Sequence, residues 1–426
     1  MSRIDTRDTK VKIAIGVLLA ATLVFVWFGV RWQIGNMLAE LTSPAQPDSE
    51  AIAGVAISLA PGDPLAAWLR ASKERENFSA ESIENSVRLF ENTIRLSPYD
   101  FRWWIELGRA YEQAERFEEA ENAIKRSIEL APEYTFPRWQ YGNFLLRRGR
   151  VDEAFAELNK AAQKSSVYRE QVFSLSWDYF GKDAAAVEKV AGDAPDVRAS
   201  LALFFAARGA SADALRNWNL LTQEQKAASD TLPRTIAMGL FSRRAFREAA
   251  EFARDSGIDP EARAEQMTNA GFEKFIGAAE ETLFGWRIQR GEPRVDMTPD
   301  SGVKREGTRS FRITFKGFNK PEFYNVVQVV PVSPGASYRL TYWIRTENLR
   351  SGGPPFIQVA NASDDTLIVN GESFPEGTAD WQQRTIEFTA PENCEGVYVR
   401  TARLICGPEC PIVGTAWLDD FAIERK

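Results

Sequence analysis

The chain has 426 residues, of which 44% are hydrophobic and 26% charged, with a net charge of -7 and no histidine. This length exceeds one typical domain and favours two or three units. The negative net charge argues against nucleic acid as a partner, because proteins that bind nucleic acid present a basic face. Without histidine, Ser-His-Asp triads, Cys-His pairs and histidine metal sites are excluded.

The first feature in the chain is an uncharged apolar run from Ile13 to Val30, flanked by Lys12 and Arg31. About 20 apolar residues in a helix span a bilayer, so the run predicts a transmembrane anchor over residues 13–31. A cleaved signal peptide is the alternative. Its apolar part would be shorter and followed by a small-x-small site, which the following "RWQIGNML" lacks.

Basic residues are distributed unevenly about this anchor. Four precede it and one follows it before Arg70, namely Arg3, Arg7, Lys10, Lys12 and Arg31. Because positive charge stays inside, we expect residues 1–12 to be a cytoplasmic tail. The protein is then a single-pass protein of the bacterial inner membrane with its bulk in the periplasm. Polar and small residues over 32–63 are typical of a linker.

Helical periodicity dominates the next segment, beginning with "RWWIELGRAYEQAERFEEAENAIKRSIELAPEY". One stripe of this stretch joins Trp104, Leu107, Gly108 and Tyr111 at helical spacing. Three features recur 34 residues apart: Gly108 and Gly142, Ala120 and Ala154, Pro98 and Pro132. This W-x-x-L-G-x-x-Y order and period resembles the tetratricopeptide repeat. Residues 64–262 are therefore predicted to form about five helix pairs, with an irregular unit after Ala154.

The resemblance implies a protein partner bound on the concave face of the repeats. Residues on the packing stripe are expected in the core. Trp103 lies off that stripe, so it is the candidate contact for the partner on the concave face.

Period-two alternation replaces the helical pattern in residues 268–426. In "SYRLTYWIRTE", Tyr338, Tyr342 and Ile344 alternate with a second set that includes Trp343 and Arg345, and turn text such as "VSPGAS" separates such runs. Short strands at this spacing predict a β-sandwich. The order of "NAGFEK", "GTRSFRITF", "DWQQRTIEFTAP" and "AWLDDF" resembles jelly-roll carbohydrate-binding modules of the galactose-binding-like superfamily. The predicted fold class is multi-domain: a transmembrane helix, an all-α tetratricopeptide-type solenoid and an all-β jelly-roll sandwich.

The second resemblance implies two sites. Such modules bind sugars on a concave sheet face through aromatic rings and polar groups. Five residues are the candidates here: Trp343, Arg345, Gln328, Gln358 and Arg400. These modules also often hold a structural calcium where the first and last strands meet, at positions matched by Glu273 and Asp419 with Asp420 as a neighbour. Carboxylate oxygens suit calcium; the alternative is that these are capping or solvated carboxylates.

The three cysteines are Cys394, Cys406 and Cys410. Three residues including Gly407-Pro408 separate the last two, whereas a predicted strand holds Cys394 roughly 30 Å from Cys406. A disulfide needs Cα atoms within about 7 Å. We therefore expect Cys406–Cys410 to be the disulfide and Cys394 to be free, with three reduced cysteines as the alternative.

No nucleophile-base pair, phosphate loop or paired-carboxylate motif is evident in the sequence, so we expect a protein that is not an enzyme. The first hypothesis is a membrane-anchored periplasmic scaffold in cell-envelope, exopolysaccharide or O-antigen assembly. Its repeats would bind a protein and its sandwich a polysaccharide. The alternative is a structural subunit of a periplasmic or secretion complex whose sandwich binds no sugar.

Overall fold

A computed structural model describes residues 9–276 and 282–426, so Arg3 and Arg7 of the predicted tail lie outside the described residues. The helices are α1 (Thr9–Leu41), α2 (Ser49–Leu59), α3 (Pro64–Arg75), α4 (Ala80–Leu96), α5 (Phe101–Gln113), α6 (Phe117–Leu130), α7 (Thr135–Arg147), α8 (Val151–Lys164), α9 (Ser166–Tyr179), α10 (Ala184–Ala191), α11 (Pro195–Arg208), α12 (Ser211–Asn219), α13 (Gln223–Ala227), α14 (Leu232–Ser242) and α15 (Phe246–Asp255). The strands are β1 (Arg287–Ile288), β2 (Val295–Asp300), β3 (Ser310–Phe318), β4 (Val326–Pro331), β5 (Ser337–Ser351), β6 (Pro355–Asn361), β7 (Leu367–Asn370), β8 (Gly377–Thr389), β9 (Gly396–Arg403) and β10 (Ile412–Arg425).

Two compact units divide the chain. The first comprises residues up to 182 together with 189–191, and the second comprises 183–188 together with 192–426. The last helix ends at Asp255 and the first strand begins at Arg287. Helices α11 to α15 belong to the same compact unit as the strands.

Helix α1 is long and apolar enough to cross a membrane, and the most apolar part of it is not buried against the rest of the chain. It continues past the predicted anchor to Leu41 and packs against α2 and α3. A Cβ on Gly35 would lie 2.7 Å from the Ala60 Cβ, so this contact requires glycine. The interpretation of residues 32–63 as a linker is therefore wrong, because small residues that resemble loop text here permit close helix packing.

Consecutive helices pair through the repeated small residues. A Cβ added to Gly108 would lie 2.6 Å from Ile124 Cγ1, and one added to Gly142 would lie 2.5 Å from Leu158 Cγ. Ala120 is fully buried beside the first of these contacts. The predicted helix-turn-helix packing is thus observed for α5–α6 and α7–α8. The irregular unit after α8 contains α10, which has only eight residues.

Two five-stranded antiparallel sheets form the β-sandwich, with orders β1-β4-β9-β6-β7 and β2-β3-β10-β5-β8. We call them the first and the second sheet. Their facing sides enclose one apolar core that contains Tyr338, Tyr342 and Ile344 of β5. These are the residues that the alternating pattern assigns to the core, and the long strand β10 pairs with both β3 and β5.

Helices α14 and α15 pack on the outer side of the first sheet within the second unit. The Phe241 ring lies 5.3 Å from that of Phe284, and the Arg287 guanidinium of β1 lies 4.9 Å from the Phe241 ring. A Cβ on Gly396 of β9 would lie 2.6 Å from the Phe246 ring. The protein's own helices therefore occupy part of a sheet face that would otherwise be open.

Candidate functional sites

The predicted partner contact Trp103 is 5% exposed and belongs to the core between α3, α4 and α5. Its ring lies 6.0 Å from that of Trp68. A helix inside a stack packs on two sides, so α5 has one stripe toward α6 through Gly108 and another toward α3 through Trp103. The assignment of Trp103 to an exposed binding face is therefore wrong, because α5 buries two stripes rather than one.

An exposed groove lies elsewhere on the first unit, between α3 and α5. It has a volume of about 500 Å³ and includes Trp68, Arg75, Phe78, Glu106 and Arg109 in its lining. The Phe78 side chain is 81% exposed. Sequence reasoning missed this groove, since the residues come from different repeats and share no local motif.

Charged side chains connect successive repeats along this groove. The Arg75 Nη1 atom donates to Glu106 Oε2 at 2.6 Å, and Arg109 Nη1 donates to the other Glu106 oxygen at 2.7 Å. The Arg109 Nη2 atom also donates to Gln140 Oε1 of α7 at 2.9 Å. The three helices α3, α5 and α7 thus present one connected polar row beside aromatic side chains.

The five predicted glycan contacts do not come together. Trp343 and Arg345 lie on β5 of the second sheet, whereas Gln328, Gln358 and Arg400 lie on strands of the first. The two groups are separated by the sandwich core, so a single site that contains all five is wrong. Strand phase can be read from sequence, but the sheet to which each strand belongs depends on pairing between distant segments.

Gln328 has a structural role. It is 1% exposed and lies in the same strand phase as the core residues Val326 and Val330. Its side-chain amide exchanges two hydrogen bonds with the backbone of Thr268, at 3.0 and 2.8 Å. A glycan cannot reach this amide, so its assignment as a contact is also wrong.

Trp343 lies outside the core of its sheet and is half-buried. The Arg305 guanidinium covers its ring at 4.4 Å from the centroid. Arg345 lies 5.9 Å from the ring of Trp417 and 3.7 Å from an oxygen of Asp380. This surface is therefore a set of rings already covered by arginine side chains rather than an open aromatic platform.

Arg400 is the centre of a polar cluster on the first sheet, which we call the Arg400 cluster. Its Nε donates to Gln358 Oε1 at 2.9 Å and its Nη1 to Asp365 Oδ1 at 2.7 Å. Gln358 in turn donates to Asn370 at 2.9 Å. The Arg400 guanidinium lies 4.3 Å from the centroid of the Tyr324 ring, so the cluster combines an aromatic ring with fixed hydrogen-bonding groups.

Tyr324 is 41% exposed and lines a cavity of about 500 Å³ with Gln289, Glu292, Lys320 and Asn325. Sequence reasoning missed Tyr324 and Asp365. In the stretch "EFYNVV" Tyr324 stands two residues before strand β4, and an aromatic residue beside a strand is a sequence signal for such a contact.

Carboxylates from the two ends of the sandwich do meet. A Cβ on Gly271 would lie 3.4 Å from Asp420 Oδ1, 3.6 Å from Asp419 Oδ1 and 3.7 Å from Glu273 Cγ. Burial raises the pKa of Asp419 to about 6. Burial also raises the pKa of Asp420, with a further contribution from the charge of Glu306.

Backbone N–H groups already hold two of these carboxylates. Thr308 N–H donates to Glu273 Oε1 and Oε2 at 2.9 and 3.0 Å, and the Thr308 hydroxyl also donates to that carboxylate, which lowers its pKa. The Arg305 N–H donates to Asp419 Oδ2 at 2.9 Å. Calcium requires oxygen ligands from this loop, whereas the loop presents donors. Over residues 9–276 and 282–426, no group of three or more acidic or cysteine side chains is arranged to hold a metal ion. The calcium site at Glu273, Asp419 and Asp420 stays a prediction, which the N–H groups that face two of these carboxylates disfavour.

The structure joins Cys406 to Cys410 with a Cα–Cα distance of 5.4 Å. Cys394 is a free, buried thiol that donates to the Gly396 carbonyl oxygen, and burial raises its pKa to about 11. The chain therefore contains one surface disulfide and one shielded thiol.

Comparison with known proteins matches residues 101–134 to the tetratricopeptide repeat family. Superkiller protein 3 of Saccharomyces cerevisiae is 24% identical over 131 residues, which are 29% of this chain and only 9% of that protein. The solved MamA of Desulfovibrio magneticus RS-1 is 20% identical, over 32% of this chain and 73% of that one, with a TM-score of 0.26. A CBM4 structure is 15% identical, over 38% of this chain and 99% of that one, with a TM-score of 0.28. The chain carries a tetratricopeptide repeat within a series of helix pairs, preceded by an apolar N-terminal helix and followed by a two-sheet β-sandwich.

Proposed function

We propose that this protein is a non-enzymatic, membrane-anchored scaffold of the bacterial cell envelope. In this proposal the repeats hold a protein partner and the sandwich contacts polysaccharide. The bulk of the chain lies on the periplasmic side of the inner membrane. The single observation that carries the proposal is the exposed groove on the repeats, whose lining includes Pro44, three residues after the end of α1, in the same compact unit.

The groove suits a polypeptide segment. Phe78 and Trp68 offer apolar surface, and Arg75 and Arg109 present guanidinium groups on either side of Glu106. Aromatic and arginine side chains are enriched among residues that dominate binding energy in protein interfaces. A segment with an apolar side chain and a carboxylate matches both features, and an extracytoplasmic loop of a membrane polymerase or ligase could supply it.

Site-specific photo-crosslinking tests the groove. A photoreactive phenylalanine analogue is placed at Phe78 or, as the matched control, at Tyr99, whose side chain is equally exposed at 81% and does not line the groove. We expect a discrete crosslinked protein in native membranes from position 78 and none from position 99. Equal crosslinking at both positions, or none at either, would contradict a partner site in the groove.

Glycan contact is assigned to the Arg400 cluster. Aromatic rings and fixed polar groups are the elements that recognise sugars, and here Tyr324 supplies the ring. Glycan-array binding by the full chain should be lost in Tyr324→Ala and Arg400→Met and retained in Trp343→Ala. Loss in Trp343→Ala alone would move the site to the second sheet.

A structural subunit without sugar binding is the second candidate. The packing of Phe241, Phe246 and Arg287 between the helices and the first sheet supports it, because the sandwich then serves as a support for the protein's own helices. Absence of binding across the array, with the crosslink at Phe78 intact, would favour this function.

A further inference from the structure

The loop between β9 and β10 places one cysteine of the disulfide at the surface and the other inside. Cys406 is exposed, whereas Cys410 is fully buried. Leu404 and Ile405, which immediately precede Cys406, are 50% and 75% exposed. An external molecule can therefore approach Cys406 over an apolar surface and cannot approach Cys410 directly.

The buried sulfur lies against a positive charge. Arg403 is 6% exposed, and its Nη2 atom is 3.3 Å from Cys410 Sγ. The same side chain donates to the carbonyl oxygens of Gly353, Lys320 and Cys410, at 3.0, 2.7 and 2.7 Å. Within the described parts of the chain no carboxylate is paired with Arg403, whose pKa shift has burial as its one cause. The Ser351 hydroxyl also accepts a hydrogen bond from the Arg403 Nη2 atom at 3.0 Å, so carbonyl and hydroxyl dipoles balance its charge, and burial lowers its pKa to about 10.

We propose that Cys406–Cys410 is a thiol–disulfide exchange site, at which an external thiol attacks Cys406 and Arg403 holds Cys410 as the leaving thiolate. Disulfide exchange is faster when the leaving thiol has a low pKa and when the attacked sulfur is accessible. A neighbouring cation lowers the pKa of a cysteine thiol. The exposed Cys406 and the guanidinium beside Cys410 supply these two conditions at different sulfurs of one bond.

The exchange balances with a thiol as co-reactant, either a small thiol or a dithiol protein. The incoming thiolate forms a bond to Cys406 Sγ while the Cys406–Cys410 bond breaks, and its electron pair stays on Cys410 Sγ beside Arg403. A second thiolate then attacks the external sulfur of the mixed disulfide and releases the Cys406 thiolate. Two thiols are oxidised to a disulfide, and the protein disulfide is reduced to two thiols.

The same loop remains held after reduction. Arg403 still bonds to the backbone of three segments, and the Cys410 N–H donates to the Asn319 carbonyl oxygen at 2.8 Å. Exchange is therefore expected to proceed on the folded chain without opening the sandwich. The buried thiol of Cys394 reports on this, since it reacts only if the fold opens.

The first test maps the attacked sulfur in the full-length wild-type protein in detergent. The protein is exposed to reduced glutathione, quenched with acid, alkylated and mapped by mass spectrometry. We expect glutathione on Cys406, alkylation on Cys410 and neither on Cys394. Glutathione on Cys410, or reduction that occurs only together with modification of Cys394, would overturn the proposal.

The second test measures the equilibrium with dithiothreitol. In Arg403→Lys and Arg403→Met the disulfide should be harder to reduce, by about tenfold in Arg403→Met, because a hydrogen bond to a charged group is lost. Protection of Cys394 verifies the fold of each variant. If a folded variant is reduced as readily as wild type, Arg403 does not stabilise the leaving thiolate. If neither variant folds, the regiochemistry of the first test still decides which sulfur is attacked.

Discussion

The substitution Gly108→Ala tests the close helix contact on which the repeats depend. The new Cβ would lie 2.6 Å from Ile124 Cγ1 and 3.3 Å from the Ala120 carbonyl oxygen. Cγ1 lies next to the branched Cβ of isoleucine, and the second atom is backbone, so neither can move alone. Overpacking of this kind costs about 1–3 kcal/mol. The higher helix propensity of alanine stabilises the helix by about 1 kcal/mol and partly offsets this cost.

Gly54→Ala is the matched control, because Gly54 also lies inside a helix of the first unit and nothing lies within 4 Å of its added Cβ. The control should raise the free energy of unfolding by up to about 1 kcal/mol. The free energy of unfolding of Gly108→Ala should be lower than that of Gly54→Ala by the overpacking cost, about 1–3 kcal/mol.

Urea unfolding of the full chain in detergent, followed by circular dichroism at 222 nm, measures both variants. Gly142→Ala, with its Cβ 2.5 Å from Leu158 Cγ, should repeat the Gly108 result. If Gly108→Ala stabilises the chain as much as Gly54→Ala does, the assigned packing of α5 against α6 is refuted.

Three further predictions concern pH, metal and topology. Burial, and then the charge of Glu248, raise the pKa of Glu395, so its folded form binds a proton more tightly than the unfolded chain and stability falls as pH rises through the folded pKa. Glu395→Gln should therefore unfold at a higher temperature than wild type at pH 8 but not at pH 4. The same difference in unfolding temperature between variant and wild type at both pH values would contradict this. EDTA and calcium chloride should leave the thermal midpoint unchanged, because backbone N–H groups hold Glu273 and Asp419; a calcium-dependent rise that Glu273→Gln abolishes would establish a calcium site. Protease added to spheroplasts should digest residues 60–426, whereas protection of that segment would reverse the predicted orientation.

Much of the fold can be predicted from the local periodicity of the sequence. The alternation in β5 correctly places Tyr338, Tyr342 and Ile344 in the core, because side chains on a strand alternate between two faces whatever the strand pairs with. The recurrence of Gly108 and Gly142 likewise predicts the close helix contacts, since only the smallest residue fits where two helix backbones approach.

The candidate binding residues are harder to predict than the fold, because their positions depend on contacts between distant segments. Trp343 and Arg400 are both polar-face residues by phase, yet pairing places them in different sheets. Trp103 appears free when only the α5–α6 pair is considered, but the preceding repeat buries it. The turn text "SPAQPDSE" and "APGDP" predicts a linker over residues 32–63, but the apolar stretch between them forms α2, which packs closely on Gly35 of α1.

Helix α1 extends without a break from the apolar stretch to Leu41, and its last turns are packed against α2 and α3. At about 1.5 Å per residue, the ten residues from Trp32 to Leu41 extend roughly 15 Å beyond the apolar run. Arg31 donates to the Ser58 carbonyl oxygen at 3.1 Å, which ties the end of α2 to the same level. A continuous, packed helix therefore connects the first helix pairs to the apolar stretch, rather than a flexible linker. If the proposed partner lies in the same membrane, this helix would hold the groove at a fixed height for it, without the orientational freedom of a flexible linker.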